Sequence, residues 1–246
     1  MDITIFFYIF VGFIAQMIDG ALGMAYGVTS TSLLLTIGIP PAQASASVHA
    51  AELVTTAVSG AFHLKFGNVD KKVLRRLLIP GVIGGAIGAY VLTEIPSTTI
   101  KPLVAGYLII MGGIILWKAF RKVAPKELKT KLVPLGLVGG FFDAIGGGGW
   151  GPVVTTTLVA RGKEPRLVVG SVNLAEFFVT LSESFVFILT IGLIHWKIII
   201  GLMIGGVLAA PLAAYVCSRI PRRPMMCMVG VLIVAVSLRT LILSLK

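Results

Sequence analysis

Four acidic residues lie inside long apolar stretches of this sequence, where an ionisable group is costly. Asp19 and Asp143 each begin a glycine-rich stretch, while Glu52 and Glu176 lie within the apolar stretches that follow. Placing such a side chain in hydrocarbon costs roughly 2.5–3.5 kcal/mol on insertion scales. Acids kept at that cost are typical of proton relays and of solute or ion pathways. The alternative is that they cap backbone amides at a neighbouring helix end.

The two glycine-rich stretches, residues 19–27 and 143–151, share one layout of an acid, internal glycines, an aromatic residue and a closing glycine. Each glycine costs a helix roughly 1 kcal/mol relative to alanine, so the four successive glycines of the second stretch predict a helix break. A break within the membrane exposes amides and positive helix ends, which attract an anion. Four acids without a basic residue deep in an apolar stretch would instead suit a cation, and the composition leaves both open.

The composition places the protein in a membrane. Of 246 residues 57% are hydrophobic and 13% are charged, with a mean hydropathy of +0.99, which leaves too little polar surface for a soluble domain. The net charge of +11 comes from short basic runs between apolar stretches, which indicate cytoplasmic loops and no nucleic-acid partner. We therefore predict an all-α, multi-pass integral membrane protein of the cytoplasmic (inner) membrane, surrounded by the lipid bilayer. Its eight apolar stretches are residues 3–36, 44–64, 74–93, 98–119, 131–160, 166–191, 196–218 and 224–243.

The chain is a tandem repeat. A shift of 124 residues, followed by one inserted residue, superposes the first half on the second. We predict two four-segment transmembrane halves, residues 1–122 and 131–246, joined by a basic cytoplasmic linker at residues 123–130. The aligned pairs include Gly12 with Gly136, Asp19 with Asp143, Gly23 with Gly147, Tyr26 with Trp150, Gly27 with Gly151, Thr31 with Thr155, His49 with Asn173, Glu52 with Glu176 and, after the insertion, Gly67 with Gly192.

The first and fifth apolar stretches are longer than the roughly 20 residues that a helix needs to cross a bilayer, and each contains a glycine-rich stretch. If the fifth stretch crosses once, 14 basic residues lie inside and 7 outside. If it enters and returns on one side, the count becomes 17 inside and 4 outside. Because cytoplasmic loops carry the excess of basic residues, this favours an inverted repeat in which the first segment of each half is broken or re-entrant.

The helical spacing of Ser45, His49, Glu52 and Thr56 gives the second segment a polar face, and its repeat carries Asn173, Glu176, Thr180 and Glu183. We take Glu52, Glu176 and His49 as proton-coupling candidates, with structural capping or packing as the alternative. Asn173 replaces His49 in the repeat, and Glu183 has no acidic equivalent, which suggests a place nearer an aqueous vestibule. The predicted substrate-binding residues are Asp19, Gly20, Gly23, Tyr26, Gly27, Thr31, His49, Glu52, Asp143, Gly147, Gly148, Gly149, Trp150, Gly151, Thr155, Asn173 and Glu176.

The paired glycine-rich stretches, together with residues 41–52 and their repeat at 165–176, resemble the TauE/SafE family of sulfite exporters and related anion permeases. The resemblance covers both halves. It implies an eight-segment or re-entrant transporter that exports sulfite, sulfoacetate or another small sulfur-containing or organic anion, driven by the proton gradient. The partners it implies are the small anionic substrate and protons, and the oligomeric state stays open.

The sequence contains no Walker motif, nucleophile motif or metal cluster, so we predict no enzymatic activity, no cofactor and no metal. These absences also argue against ATP-driven transport by this chain. An ion channel, or a cation- or proton-coupled permease that uses the paired acids, is the alternative to an anion exporter.

Overall fold

The computed structural model describes residues 3–120, 131–161, 163–216 and 222–245, and within these ranges the regular structure is entirely helical. The predicted linker at residues 123–130 lies outside the described residues. A π-helical turn, Gly151–Thr155, precedes the short helix α7. The α-helices are α1 (Ile3–Leu22), α2 (Tyr26–Thr36), α3 (Pro41–Lys65), α4 (Lys71–Glu94), α5 (Ser97–Phe120), α6 (Leu132–Gly146), α7 (Thr156–Ala160), α8 (Pro165–Thr190), α9 (Trp196–Val216) and α10 (Arg222–Ser244).

Six helices of the described chain are long and apolar enough to cross a membrane, namely α1, α4, α5, α8, α9 and α10. Helix α3 has 25 residues, but it carries the polar face that the sequence predicts, which lowers its hydropathy. Helix α6 has only 15 residues because the glycine-rich stretch ends it. The prediction of an all-α, multi-pass membrane protein is confirmed.

The outer surface of the helices carries large apolar side chains. Phe10, Ile79 and Leu189 are each more than 60% exposed. The polar side chains of α3 are buried instead, with Ser45, His49, Glu52 and Thr56 all at 1% exposure or less. This arrangement of apolar outside and polar inside is the one expected of a protein surrounded by lipid.

Both predicted helix breaks are present. Helix α1 ends at Leu22 and α2 begins at Tyr26, so residues 23–25 form the first break. Helix α6 ends at Gly146, and residues 147–149 form the second break. Positive φ angles occur in both, at Gly23 (69°), Ala25 (93°), Gly147 (64°) and Gly148 (148°). Glycine adopts these angles without steric cost, whereas the β-carbon of Ala25 does not favour them.

The helices pack in pairs that repeat between the halves. Helix α1 packs along α9, and its equivalent α6 packs along α4. The crossing helices α3 and α8 contact each other, as do α5 and α10. Exchanging the halves therefore leaves the main contacts unchanged, as the sequence repeat requires.

Three of these contacts also fix helix directions. Tyr8 lies beside Gly201 and Gly20 lies beside Ala213, so α1 and α9 run parallel. Helices α4 and α6 also run parallel, because Gly136 lies beside Leu77 and Gly88 beside Phe141. The third pair is α2 and α10, in which Ser32 contacts Ser237 and Thr36 contacts Thr240, each at 3.2 Å between hydroxyl oxygens.

Polar contacts between the halves tie both ends of the bundle. At one end, Arg166 at the start of α8 donates to the Phe66 carbonyl at 2.7 Å, and the Asp70 amide donates to Ser171 Oγ at 2.7 Å. At the other end, His195 Nε2 lies 2.9 Å from Gln43 Oε1. The turn after α3 therefore packs against the start of α8, and the turn after α8 packs against the start of α3.

Candidate functional site

The two helix breaks meet at the centre of the molecule and are held together reciprocally. Thr31, which follows the first break in α2, donates its hydroxyl to the Gly147 carbonyl of the second break at 2.9 Å. Its repeat equivalent Thr155 donates to the Gly23 carbonyl of the first break at 2.6 Å. Each threonine binds the residue equivalent to the other's partner, so the pair of bonds has two-fold pseudo-symmetry.

Glycine is required where the breaks touch. A β-carbon on Gly27 would overlap the carbonyl oxygen of Gly147, and one on Gly151 would lie 2.6 Å from the carbonyl oxygen of Gly23. The backbone of Gly148 lies equally close to Gly27. Real β-carbons do not approach other atoms so closely, so this backbone-to-backbone contact explains why both stretches end in glycine.

The two aspartates cap the helices that follow the breaks. Asp143 Oδ1 accepts hydrogen bonds from the amides of Gly149 at 2.7 Å and Trp150 at 2.9 Å. Asp19 is hydrogen-bonded to the backbone of Tyr26, which is the repeat equivalent of Trp150. The capping role that the sequence left open is therefore present in both halves. It uses only part of each carboxylate, because Oδ2 of both aspartates has no hydrogen-bond partner among the described residues.

Glu52 and Glu176 join the aspartates in one buried acidic cluster. All four side chains are at most 3% exposed, and Oε2 of each glutamate finds no hydrogen-bond partner in the described chain. Glu176 interacts electrostatically with Asp19, Glu52 and Asp143. The structure thus brings together the four acids that the sequence singled out, around the point where the breaks meet.

His49 connects this cluster to a fifth acid, Glu183. The His49 Nε2 atom lies 2.9 Å from Glu183 Oε2 and 3.7 Å from Asp143 Oδ2. The other ring nitrogen, Nδ1, lies 2.8 Å from the Ser45 carbonyl oxygen. Glu183 is fully buried, so its predicted place near an aqueous vestibule was wrong. His49, Asp143 and Glu183 each offer one ligand atom, and these atoms all lie within 4.8 Å of one another.

Several predicted site residues use their polar atoms for packing. Tyr26 donates its hydroxyl to the Leu202 carbonyl, and Trp150 donates its indole N–H to the Val172 carbonyl, each at 3.2 Å. The Gly20 carbonyl lies 3.2 Å from His63 Nε2. Asn173 accepts a hydrogen bond from Ser59 at 2.8 Å.

Other polar groups at the site were missed by sequence reasoning or remain uncommitted. Tyr107 of α5 stacks on Phe142 with ring centroids 5.4 Å apart, and its buried hydroxyl has no partner among the described residues. A β-carbon on Gly149 would overlap that hydroxyl. The hydroxyls of Thr29 and Ser30, just after the first break, are also buried and without a partner there.

The reciprocal threonine bonds should be measurable in the stability of the protein. We expect Thr31→Val and Thr155→Val each to reduce the free energy of unfolding by about 1 kcal/mol, since valine keeps the shape but cannot donate. Thermal unfolding in detergent is the measurement. Thr190→Val is the matched control, because that hydroxyl bonds within its own helix near the surface. Equal effects in all three variants would contradict a special role for the contact between the breaks.

A helical bundle with two broken segments meeting at a buried polar centre is the architecture of a membrane transporter. Residues 8–240 match the family model described as Sulfite exporter TauE/SafE, and the chain belongs to this family. The expected family resemblance is confirmed, and the protein is a multi-pass cell-membrane transporter of this type.

Two curated relatives carry the same description. A Bacillus subtilis (strain 168) protein, named Probable membrane transporter protein YtnM, is 46% identical over 245 residues, covering 96% of this chain and 82% of the relative. A Haemophilus influenzae (strain ATCC 51907 / DSM 11121 / KW20 / Rd) protein, named Probable membrane transporter protein, is 26% identical over 211 residues, covering 83% and 81%. No solved structure matches this chain at a comparable level. Membership of a transporter family is consistent with the expectation that the protein is not an enzyme.

Proposed function

We propose that this protein is a secondary-active transporter that exports a small anion, such as sulfite, sulfoacetate or a related sulfur-containing or organic anion, in a proton-coupled cycle. The reciprocal contact between the two helix breaks is the observation that carries the proposal. It places helix starts, exposed amides and the uncommitted hydroxyls of Thr29 and Ser30 at one buried point. Helix starts and hydroxyls can bind oxyanion oxygens without a buried lysine or arginine.

We further propose an inverted repeat whose halves, residues 1–122 and 131–246, each begin with a re-entrant hairpin. The parallel packing of α1 with α9 and of α2 with α10 supports this. Consecutive membrane-crossing helices such as α9 and α10 run in opposite directions, so α1 and α2 must also run in opposite directions. The contact between Arg166 and Phe66 supports the same topology, because a single crossing by the second glycine-rich stretch would put those residues at opposite ends.

The acidic cluster would repel an anion unless it carries protons. Among the described residues, no lysine or arginine acts electrostatically on Asp19, Glu52 or Glu176. An uncompensated buried charge is costly, and a second negative charge beside it would be costlier still. Protons taken up by the cluster would remove this repulsion, so the acids provide a physical link between anion binding and proton binding.

Transport then requires the two halves to move relative to each other. The acids and the breaks are buried, and polar contacts close both ends of the bundle. Alternating release of the contacts at Arg166 and at His195 would open the site to one side at a time. Rocking one half against the other around a fixed central site is the usual way in which repeat-built transporters achieve this.

Proteoliposomes containing the purified protein test the proposal. We expect accumulation of radiolabelled sulfite or an organosulfonate when a proton gradient is imposed, and a loss of at least tenfold in Glu52→Gln and Glu176→Gln that leaves folding intact. Glu94→Gln, at the exposed end of α4, is the control. The absence of anion movement under any gradient would refute anion export, and wild-type flux in both glutamine variants would leave these acids structural. Flux without accumulation against a gradient would indicate a channel.

A cation-coupled permease is the second candidate, favoured by the grouping of His49, Asp143 and Glu183. Histidine and carboxylate ligands suit a metal cation as well as a proton. Replacing the proton gradient with a sodium or divalent-cation gradient in the same vesicles separates the two. Accumulation driven by the cation gradient at equal pH on both sides would favour this candidate.

A further inference from the structure

We propose that the protein couples transport to protons through one half-site only, the pair formed by His49 and Glu183, and that the equivalent pair in the other half is permanently neutral. This inference rests on the proposed function and identifies its proton carrier. Glu183 was not among the coupling candidates that the sequence suggested. The evidence is a comparison of two contacts that the repeat makes equivalent.

The two contacts have the same geometry with different chemistry. His49 Nδ1 lies 2.8 Å from the Ser45 carbonyl oxygen, and its repeat equivalent Asn173 donates its Nδ2 to the Val169 carbonyl at 3.3 Å. On the other side, His49 Nε2 lies 2.9 Å from Glu183 Oε2, while Asn173 Oδ1 accepts from Ser59 at 2.8 Å. Val169 is equivalent to Ser45, and Ser59 is equivalent to Glu183, so each half anchors and pairs its residue in the same way.

The His49 contact requires a proton that can leave. A carbonyl oxygen only accepts, so the hydrogen of Nδ1 is used towards Ser45. The 2.9 Å contact between Nε2 and Glu183 Oε2 then needs one proton, carried by either atom, because two lone pairs at that distance repel. Loss of this proton to water would leave a neutral imidazole facing a carboxylate and would weaken the contact. The hydroxyl of Ser59 keeps its hydrogen at any physiological pH, so the Asn173 contact does not respond.

Neighbouring residues fit this difference between the halves. A β-carbon on Gly85 of α4 would lie 2.6 Å from Glu183 Oε1, so glycine provides the space for the longer acid. The repeat equivalent of Gly85 is Ala210, opposite the half in which the short Ser59 replaces the glutamate. The remaining charged groups that act on His49 are Asp143 of α6, at 3.7 Å, and Glu52 of its own helix. Both are acids, which favour a proton on the pair.

The position of the pair connects the proton to the movement of the halves. His49 belongs to α3 in the first half, and Glu183 belongs to α8 in the second half. Proton binding therefore strengthens one of the two bridges between α3 and α8, while the bridge between Ser59 and Asn173 stays constant. A transporter that rocks its halves could in this way open and close one side according to the protonation of a single pair.

The test converts the first half into a copy of the second at this position, with the triple variant His49→Asn, Glu183→Ser and Gly85→Ala. Changing all three together avoids an unpaired buried charge and the cavity that Glu183→Ser alone would leave. In the proteoliposome assay we expect the wild type to reach about a tenfold anion ratio per unit of imposed pH difference, for one proton per anion. The triple variant should fold and show no dependence on the pH difference. Ser59→Ala, which removes the neutral bond, should retain the wild-type dependence.

A second measurement does not depend on transport. Infrared difference spectra of the purified protein between two pH values should contain a carboxyl signal that the triple variant loses and Ser59→Ala retains. If the wild type moves no anion but this signal behaves as described, the proton site stands and anion export fails. A triple variant with wild-type coupling or an unchanged carboxyl signal would overturn the inference, as would a loss of coupling in Ser59→Ala equal to that in the triple variant.

Discussion

Gly148→Ala is expected to prevent most of the protein from reaching its folded form. Gly148 has a φ of 148°, which an alanine side chain rarely adopts. Its β-carbon would also overlap the backbone of Val28, at the place where the two breaks touch. Backbone strain of about 1–3 kcal/mol would add to an overlap that costs about 1–3 kcal/mol, against a total stability of roughly 5–15 kcal/mol for a typical domain. The yield of monodisperse protein and its thermal unfolding in detergent are the measurements.

Two glycines of α5 provide the matched controls. Nothing lies within 4 Å of a β-carbon built on Gly106 or Gly113, and both are in a regular helix. Gly106→Ala and Gly113→Ala should therefore leave the stability unchanged or raise it by up to roughly 1 kcal/mol. A Gly148→Ala protein as stable as these controls would mean that the breaks do not approach each other as closely as described.

The architecture could be predicted because it is written in local and periodic features of the sequence. Four successive glycines cannot continue a helix, so the second break follows from propensity alone. The first break has fewer glycines, and only its alignment with the second at Asp19 and Asp143 made it visible. The structure shows the reason, since Ala25 adopts a positive φ that its residue type would not suggest.

The composition of the site was harder to predict because it depends on which helices meet. The polar face of α3 indicated that His49 is buried, but no spacing within α3 or α8 shows that Glu183 lies 2.9 Å from it. Tyr107 approaches the second break from α5, whose sequence has no polar periodicity to mark it. The size relation between Gly85 and Glu183 also becomes readable only once α4 and α8 are known to be neighbours.

The pseudo-symmetry separates structural features from functional ones. Features present in both halves, such as the capping aspartates and the crossed threonine bonds, hold the two breaks together. The contact of His49 with Glu183 differs between the halves although its backbone setting is the same. A transporter that binds one proton on one side needs such a difference, because two equivalent halves would bind protons equivalently.

Substitutions of Asp143 should separate its capping role from its charge. Asp143→Ala removes the acceptor of two amide hydrogen bonds, at Gly149 and Trp150, and is expected to cost about 2 kcal/mol or more in the free energy of unfolding. Asp143→Asn keeps an oxygen for these amides, so its stability should stay within about 1 kcal/mol of the wild type. It removes the negative charge that lies 3.7 Å from His49, however.

The two variants therefore predict opposite patterns in two measurements. Asp143→Ala should lower the temperature of thermal unfolding, whereas Asp143→Asn should mainly displace the pH profile of transport, because the pair of His49 and Glu183 loses an acid that favours its proton. Asp19→Asn is the matched control, since the equivalent position in that half faces no histidine–glutamate pair. Equal displacement of the profile by Asp19→Asn and Asp143→Asn would show that the charge of the whole cluster, and not its contact with His49, determines the proton dependence.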